Sequence, residues 1–219
     1  MNSGKVQKAD LEWRDGVIPV STRFQDPYFS LNDGLAETEY VFLAGNDLPQ
    51  RFQAGFHIAE LGFGTGLNVL AAWRAWLNFG QTTPLKFTSF EAFPMEPAQM
   101  ERALAVWPDL APLAAQLVQA WGQGHGVQSD TLDLTVIIGD ARTTLPEWAG
   151  RADAWFLDGF SPAKNPELWS PELMQAVADH TQPAGTFATY TAAGHVRNSL
   201  SEAGFQVERR KGFGHKRHM

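Results

Sequence analysis

Glu60-Leu61-Gly62-Phe63-Gly64-Thr65-Gly66 decides how the rest of the chain is read. It stands between an apolar, strand-like run from Phe56 to Leu61 and a helix-length stretch from Gly66 to Leu77 that is apolar almost all round (Leu67, Val69, Leu70, Trp73, Trp76, Leu77). A helix of that composition packs tightly against a sheet, so its aromatics read as core. A glycine-rich turn from strand into helix is where a doubly wound sheet binds a nucleotide-like ligand, because glycine lets the backbone turn sharply and approach the ligand. The spacing discriminates between ligands. A dinucleotide fingerprint is G-x-G-x-x-G with pyrophosphate on the helix N-terminus, whereas here the third glycine comes one residue early and Glu60 precedes the first. A carboxylate there repels pyrophosphate and suits an amino-acid moiety or a sulfonium cation. Glu60, Gly62, Gly64 and Gly66 are therefore candidate cofactor-binding residues.

Outward from this turn the pattern alternates strand, turn and helix, the signature of a parallel α/β sheet. Strands are predicted at Phe56–Leu61, Lys86–Phe90, Leu134–Ile138, Ala154–Leu157 and Thr186–Tyr190, with a further one at Phe205–Arg209. Helices are predicted at Gly66–Leu77, Pro97–Val106, Leu110–Ala120, Pro171–His180 and Gly194–Ala203, and the glycine-containing segment Trp121–Asp130 reads as a loop. Glu91 ends the second strand and Asp140 the third, on the same edge as the glycine turn. There Glu91 can accept hydrogen bonds from both hydroxyls of a ribose and Asp140 one from an adenine amino group; singly, each also reads as a solvated turn acid. Residues 1–50, with turn signals at Asp15-Gly16, Asp26-Pro27 and Asn32-Asp33-Gly34, read as an N-terminal β appendage on a core formed by residues 51–219.

Composition narrows the function classes. The 219 residues contain no cysteine, which removes thiolate nucleophiles, iron–sulfur clusters and cysteine-ligated zinc. The six histidines form no helical pair with a carboxylate, and no G-x-S-x-G elbow occurs, so neither a metal centre nor a serine hydrolase is indicated. No apolar run is long enough to span a bilayer and the start lacks a signal-peptide core, which places the expected location in the cytoplasm. A net charge of -7 argues against nonspecific coating of nucleic acid. That charge is uneven: from His195 to Met219, six basic residues (Arg197, Arg209, Arg210, Lys211, Lys216, Arg217) face only Glu202 and Glu208. Such a run reads either as a solvated tail or as a local phosphate contact.

The fourth strand runs into Asp158-Gly159-Phe160-Ser161-Pro162-Ala163-Lys164-Asn165-Pro166. An acid at a strand's carboxyl end followed by glycine, an aromatic and proline is similar to the acceptor turns of amino-group methyltransferases, although Asp158 also reads as a turn residue or helix cap. Together with Phe24–Ser30, Asn32–Phe42 and Gly212–Arg217, this string resembles the tRNA 5-methylaminomethyl-2-thiouridine methyltransferase domain, the MnmC-type family, over nearly the whole chain. The glycine turn likewise resembles that of class I S-adenosylmethionine-dependent methyltransferases. The resemblance implies a Rossmann-like, mostly parallel seven-stranded sheet ending in an antiparallel hairpin. It implies methylation of the primary amine of an aminomethyl group on a wobble uridine of tRNA, with S-adenosylmethionine as donor. Many members of that family continue into an FAD-dependent oxidase domain that exposes the amine; this chain is too short to hold one, and reads either as a stand-alone methyltransferase supplied by a separate FAD-dependent enzyme or as the excised N-terminal half of a longer protein.

Within that implied reaction, Asp158 and Phe160 are the candidate catalytic residues. An alkylamine must be neutral to attack, and an ordinary aspartate near pKa 3.9 is a poor acceptor of a proton from an amine near 10.4. Orientation of the amine is therefore the favoured role of Asp158, unless Phe156, Leu157 and Phe160 raise its pKa by desolvation. Phe160 is a wall for the uracil or a packed turn residue, Lys164 a phosphate contact or a solvated cation, and Tyr28 and Asn32 candidate covers of the site. The competing readings are methylation of another amine, an adenosine-ligand binder without catalysis, and a nicotinamide oxidoreductase.

Overall fold

The computed structural model describes residues 7–30 and 33–219. Three short antiparallel strands come first: β1 (Leu11–Arg14), β2 (Ile18–Ser21) and β3 (Asp26–Pro27), in the order β1-β2-β3. Helix α1 (Gly34–Thr38) follows, its N-terminus capped by the Asp33 carboxylate, which accepts the Ala36 N–H at 2.9 Å. It runs directly into a π-helical turn, Glu39–Leu43, and a 3-10 turn, Ala44–Asn46. Val41, Phe42 and Leu43 of this segment join the main apolar core.

The main sheet comprises β4 (His57–Leu61), β5 (Leu85–Glu91), β6 (Gly126–Gln128), β7 (Leu132–Ile138), β8 (Ala152–Leu157) and β9 (Thr181–Thr189), in the order β6-β7-β5-β4-β8-β9. Only β6 runs antiparallel to its neighbour. Alternation along the strands divides the core between the two faces. Ile58, Ala154 and Phe156 face the cluster formed with α2 (Leu67–Asn78), α3 (Pro97–Leu104) and α4 (Ala111–Trp121). Ala59, Leu61, Trp155 and Leu157 face the cluster formed with α5 (Ala141–Thr144), α6 (Pro171–Asp179) and α7 (Gly194–Glu202). A parallel sheet buried on both sides gives these strands their unbroken apolar runs. Among the described residues no helix is long and apolar enough to cross a membrane.

Two expectations are corrected. Trp121–Asp130 is not a loop throughout: Trp121 closes α4, and Gly126–Gln128 pairs with Asp133–Thr135. Glycine is required there by contact rather than by a turn, since a Cβ on Gly126 would lie 2.5 Å from the Leu134 carbonyl oxygen. The sheet has six strands among the described residues, not seven, because Phe205–Arg209 forms no ladder. Phe205 and Val207 still pack on the second core cluster, and Phe205 meets Phe187 edge-on at 4.9 Å. The expected hairpin is reduced to one pair of mutual backbone hydrogen bonds between Arg210 and Met219, at 3.2 and 3.0 Å. Apolar alternation places those side chains, but this charged stretch finds no strand partner. The basic segment is therefore no loose tail: Phe213 and Met219 pack against the main core, and the Tyr40 hydroxyl donates to the Lys211 carbonyl at 3.0 Å.

Candidate functional site

The carboxyl ends of β4, β5, β7 and β8 open into one cavity of about 970 Å³, into which Gly62, Gly64, Glu91, Asp140, Asp158 and Phe160 all project or border. Topology alone brings these residues together from the ends of four parallel strands.

On one side lies the glycine turn. Gly62 has φ +84° and sits so close to the next strand's turn that a Cβ would come within 2.9 Å of the Gly159 Cα. Gly64, at φ +55°, lies under the Tyr28 ring, 3.2 Å from where its own Cβ would be. Its N–H donates to Glu91 at 2.9 Å, and the other Glu91 oxygen accepts from the Phe93 N–H at 2.7 Å. Burial raises the Glu91 pKa despite these bonds. Asp140 caps α5, accepting the Arg142 backbone N–H at 2.9 Å and its guanidinium Nε at 3.0 Å, and this partner lowers its pKa.

Two glycine-turn residues, Glu60 and Gly66, do not line the cavity. Glu60 is fully buried and does not border the cavity: one oxygen accepts from Asn68 at 2.9 Å, the other from the Ser89 hydroxyl at 2.6 Å. Its link to the cavity is Asn68, which bonds both Glu60 and Asp158. Gly66 is a packing glycine at φ +82°, where a Cβ would lie 2.7 Å from Leu117 Cδ2.

On the other side lies the turn after β8. The Asn68 amide donates its second hydrogen to Asp158 at 2.8 Å, and its oxygen accepts the Thr38 hydroxyl at 2.8 Å. One amide thus joins two carboxylates and is fully satisfied. Burial pushes the Asp158 pKa up to about 7 against the opposing hydrogen bonds from Asn68 and the Gly159 N–H; Glu37 adds to the rise and Lys216 subtracts from it. Burial, with Asp158 and Glu91 nearby, holds Glu60 well above the usual carboxylate range. Phe160 stacks on Phe24 at 4.6 Å and meets Tyr28 edge-on at 5.0 Å. Asp26 clamps this turn to β3, accepting the Ser161 N–H at 2.9 Å and the Lys164 ammonium at 2.8 Å. Lys164 also donates to the Gln25 carbonyl. Tyr190, at the end of β9, donates to the Gly159 carbonyl at 2.8 Å. Asn32 lies outside the described residues.

A family model described as S-adenosyl-L-methionine-dependent methyltransferase matches residues 108–219, half of the chain. The chain belongs to this methyltransferase family. Its similarity extends further: 47% identity over 96% of the chain to the tRNA 5-methylaminomethyl-2-thiouridine biosynthesis bifunctional protein MnmC of Ectopseudomonas mendocina, and 46% to that of Stutzerimonas stutzeri. It spans about a third, 34%, of the length of these curated relatives. The crystal structure of MNMC2 from Aquifex aeolicus superposes with a TM-score of 0.77 at 25% identity, over 98% of this chain and 70% of that one. The sheet is accordingly that of a class I methyltransferase, carrying an additional small antiparallel sheet at its N-terminus.

The cavity is also lined by residues that sequence reading passed over. Asn68 carried a signal: a carboxamide in the first turns of an otherwise apolar helix needs buried partners. Tyr190 follows a strand at the cavity edge, a position equivalent to that of Asp158. Thr38, Glu37 and Asp26 carried none, because their partners lie 30 to 179 residues away in sequence.

Proposed function

We propose that this methyltransferase transfers a methyl group from S-adenosylmethionine to the aminomethyl nitrogen of a wobble 5-aminomethyl-(2-thio)uridine in tRNA. The observation that carries the reading is the position of Asp158: the acid of the Asp-Gly-Phe-Ser-Pro turn borders the same cavity as Gly64 and Glu91. The names of the two MnmC relatives supply the substrate class. The cavity fits the donor chemically. Gly62 and Gly64 border it without side chains of their own, and Glu91 and Asp140 border it as acids suited to accept hydrogen bonds from ribose hydroxyls and from an adenine amino group, respectively.

When bound, S-adenosylmethionine supplies a methyl group activated by a sulfonium sulfur. The chain's own task is to hold the amine in line at near-attack distance. Asp158, fixed by Asn68, accepts an amine N–H and so aims the lone pair; Phe160 walls the uracil. As the N–C bond forms and the C–S bond breaks, the nitrogen becomes a secondary ammonium. Asp158, with its pKa raised to about 7, is a better acceptor for the proton this ammonium releases than an ordinary aspartate. Lys164 holds the acceptor turn against β3 through Asp26. The amine itself requires an earlier deprotection, which we assign to an FAD-dependent enzyme or domain, and both steps to the cytoplasm.

The test is mass spectrometry of nucleosides from tRNA bearing aminomethyl-uridine, incubated with the protein with and without S-adenosylmethionine. Gain of one methyl mass on that nucleoside alone is the expected result. No gain while small-molecule or protein amines are methylated would overturn the tRNA reading and leave the methyltransferase.

A further inference from the structure

Four cations border the cavity: Arg23, Arg142, Lys164 and Lys216. Three are neutralised at close range, Arg142 by Asp140, Lys164 by Asp26 and Lys216 by Glu37. Arg23 is different: among the described residues it has no carboxylate partner, and its guanidinium donates to the Gln7 side-chain oxygen at 3.3 Å. It is exposed, and instead of an acid it meets aromatic rings, with its guanidinium carbon 4.6 Å from the Phe93 centroid and 5.7 Å from that of Phe24. Phe24 in turn stacks on Phe160 of the acceptor turn. The result is a cluster of flat groups continuing outward from the ring proposed to wall the uracil: Arg23 lies over Phe93, whose ring is 5.8 Å from that of Phe24 and tilted to it by 60°. In a protein of net charge -7, an uncompensated guanidinium on aromatic faces is well matched to a base of a single-stranded nucleic acid.

We infer that Arg23, Phe24 and Phe93 form a stacking platform at the cavity mouth for a nucleobase next to the uridine being methylated. This rests on the tRNA reading above. A uridine turned into the cavity unstacks from its neighbours, and a platform beside the mouth recovers that stacking on the protein. It also explains how an acidic protein selects RNA: recognition rests on planar contacts to an unpaired loop rather than on a broad basic surface.

The test is a double-mutant cycle on kcat/KM, with anticodon stem-loops bearing aminomethyl-uridine. One substrate is intact, and two others are abasic at the position immediately 5′ or 3′ of that uridine, which removes a base but keeps its phosphate. Arg23→Ala and the milder Phe24→Leu are expected to lower kcat/KM on the intact loop roughly tenfold. One of the abasic loops is expected to lose a similar factor with the unaltered protein and little more with either variant. Arg23→Lys, which keeps the charge but loses the plane, is expected to behave like Arg23→Ala. S-adenosylmethionine affinity, read by calorimetry, stays unchanged and shows that the variants are folded.

Losses that simply multiply on both abasic loops would overturn the platform, as would full activity of Arg23→Lys, which would make Arg23 a phosphate contact. In either case methylation of the intact loop would leave the tRNA reading standing. No methylation of the intact loop by the unaltered protein would remove that reading and the platform with it.

Discussion

The two walls of the cavity are built in opposite ways. The wall around the glycine turn is local: β4, the turn and α2 are consecutive, and Glu91 arrives from the adjacent strand in register, Leu61 beside Phe90. The wall around Asp158 is assembled from afar. Asp26 clamps Ser161, Asn68, itself held by Thr38, bonds Asp158, and Lys216 reaches Glu37. A local wall is fixed by the geometry of one supersecondary unit, whereas a distant one depends on each tertiary contact. Mutations in the first should disturb ligand binding and folding together; mutations in the second should separate methyl transfer from cofactor binding.

Asp158→Ala is the sharpest test of that separation. It should lower kcat by about 10²–10⁴-fold, the usual worth of a positioned acid–base group, while calorimetry finds S-adenosylmethionine bound nearly as before. The pH profile of the unaltered protein should rise through the region near 7 as the carboxylate ionises. Stability gives an independent reading of the same shift. Because the folded-state pKa lies above the unfolded value, the folded protein binds the proton more tightly, and stability falls as pH rises from about 4 toward 7. Asp158→Asn should therefore gain stability relative to the unaltered protein across that window, and denaturant titrations at several pH values measure it.

Gly62→Ala attacks the local wall. The new Cβ meets the Gly159 Cα at 2.9 Å from a left-handed backbone, so a loss of about 1–3 kcal/mol is expected. Both melting temperature and cofactor affinity should drop, and retention of full affinity would break the comparison. Asn68→Ala stands between the walls. It leaves two carboxylates without their shared donor, at a cost of about 1–3 kcal/mol, and should shift the acidic limb of the activity profile upward by removing a hydrogen bond that favours ionised Asp158. A smaller effect is expected from Lys164→Met. Its partly exposed pair with Asp26 is worth below about 1 kcal/mol, so a thermal melt should barely move while kcat falls modestly.

What sequence reading recovered follows the same division. The five long parallel strands and helices α2, α3, α4, α6 and α7 were legible, because burial on both faces leaves continuous apolar runs and glycine punctuates their ends, whereas the single turn of α5 was not. The strand-to-helix turn at Gly62 was legible for the same local reason. Gly66 and Glu60 look alike to a motif, and only packing separates a residue under the turn from one above it. Strand β6 was hidden because Gly126 reads as a turn when its function is to clear the Leu134 carbonyl. The network around Asp158 was illegible except at Asn68, since nothing in a linear pattern announces that Thr38 will face that amide.

The pairing of Glu37 with Lys216 orders events in time as well as in space. During translation at roughly 5–20 residues per second, the strands, turn and helix of the cofactor wall leave the ribosome well before residue 216 does. The nascent chain can therefore organise the glycine-turn wall early. The Asp158 wall closes only after the Gly212–Arg217 segment emerges to meet a helix whose Glu37 lies 179 residues before Lys216. A ribosome-stalled chain ending before Phe213 should accordingly bind S-adenosylmethionine and yet remain a poor catalyst.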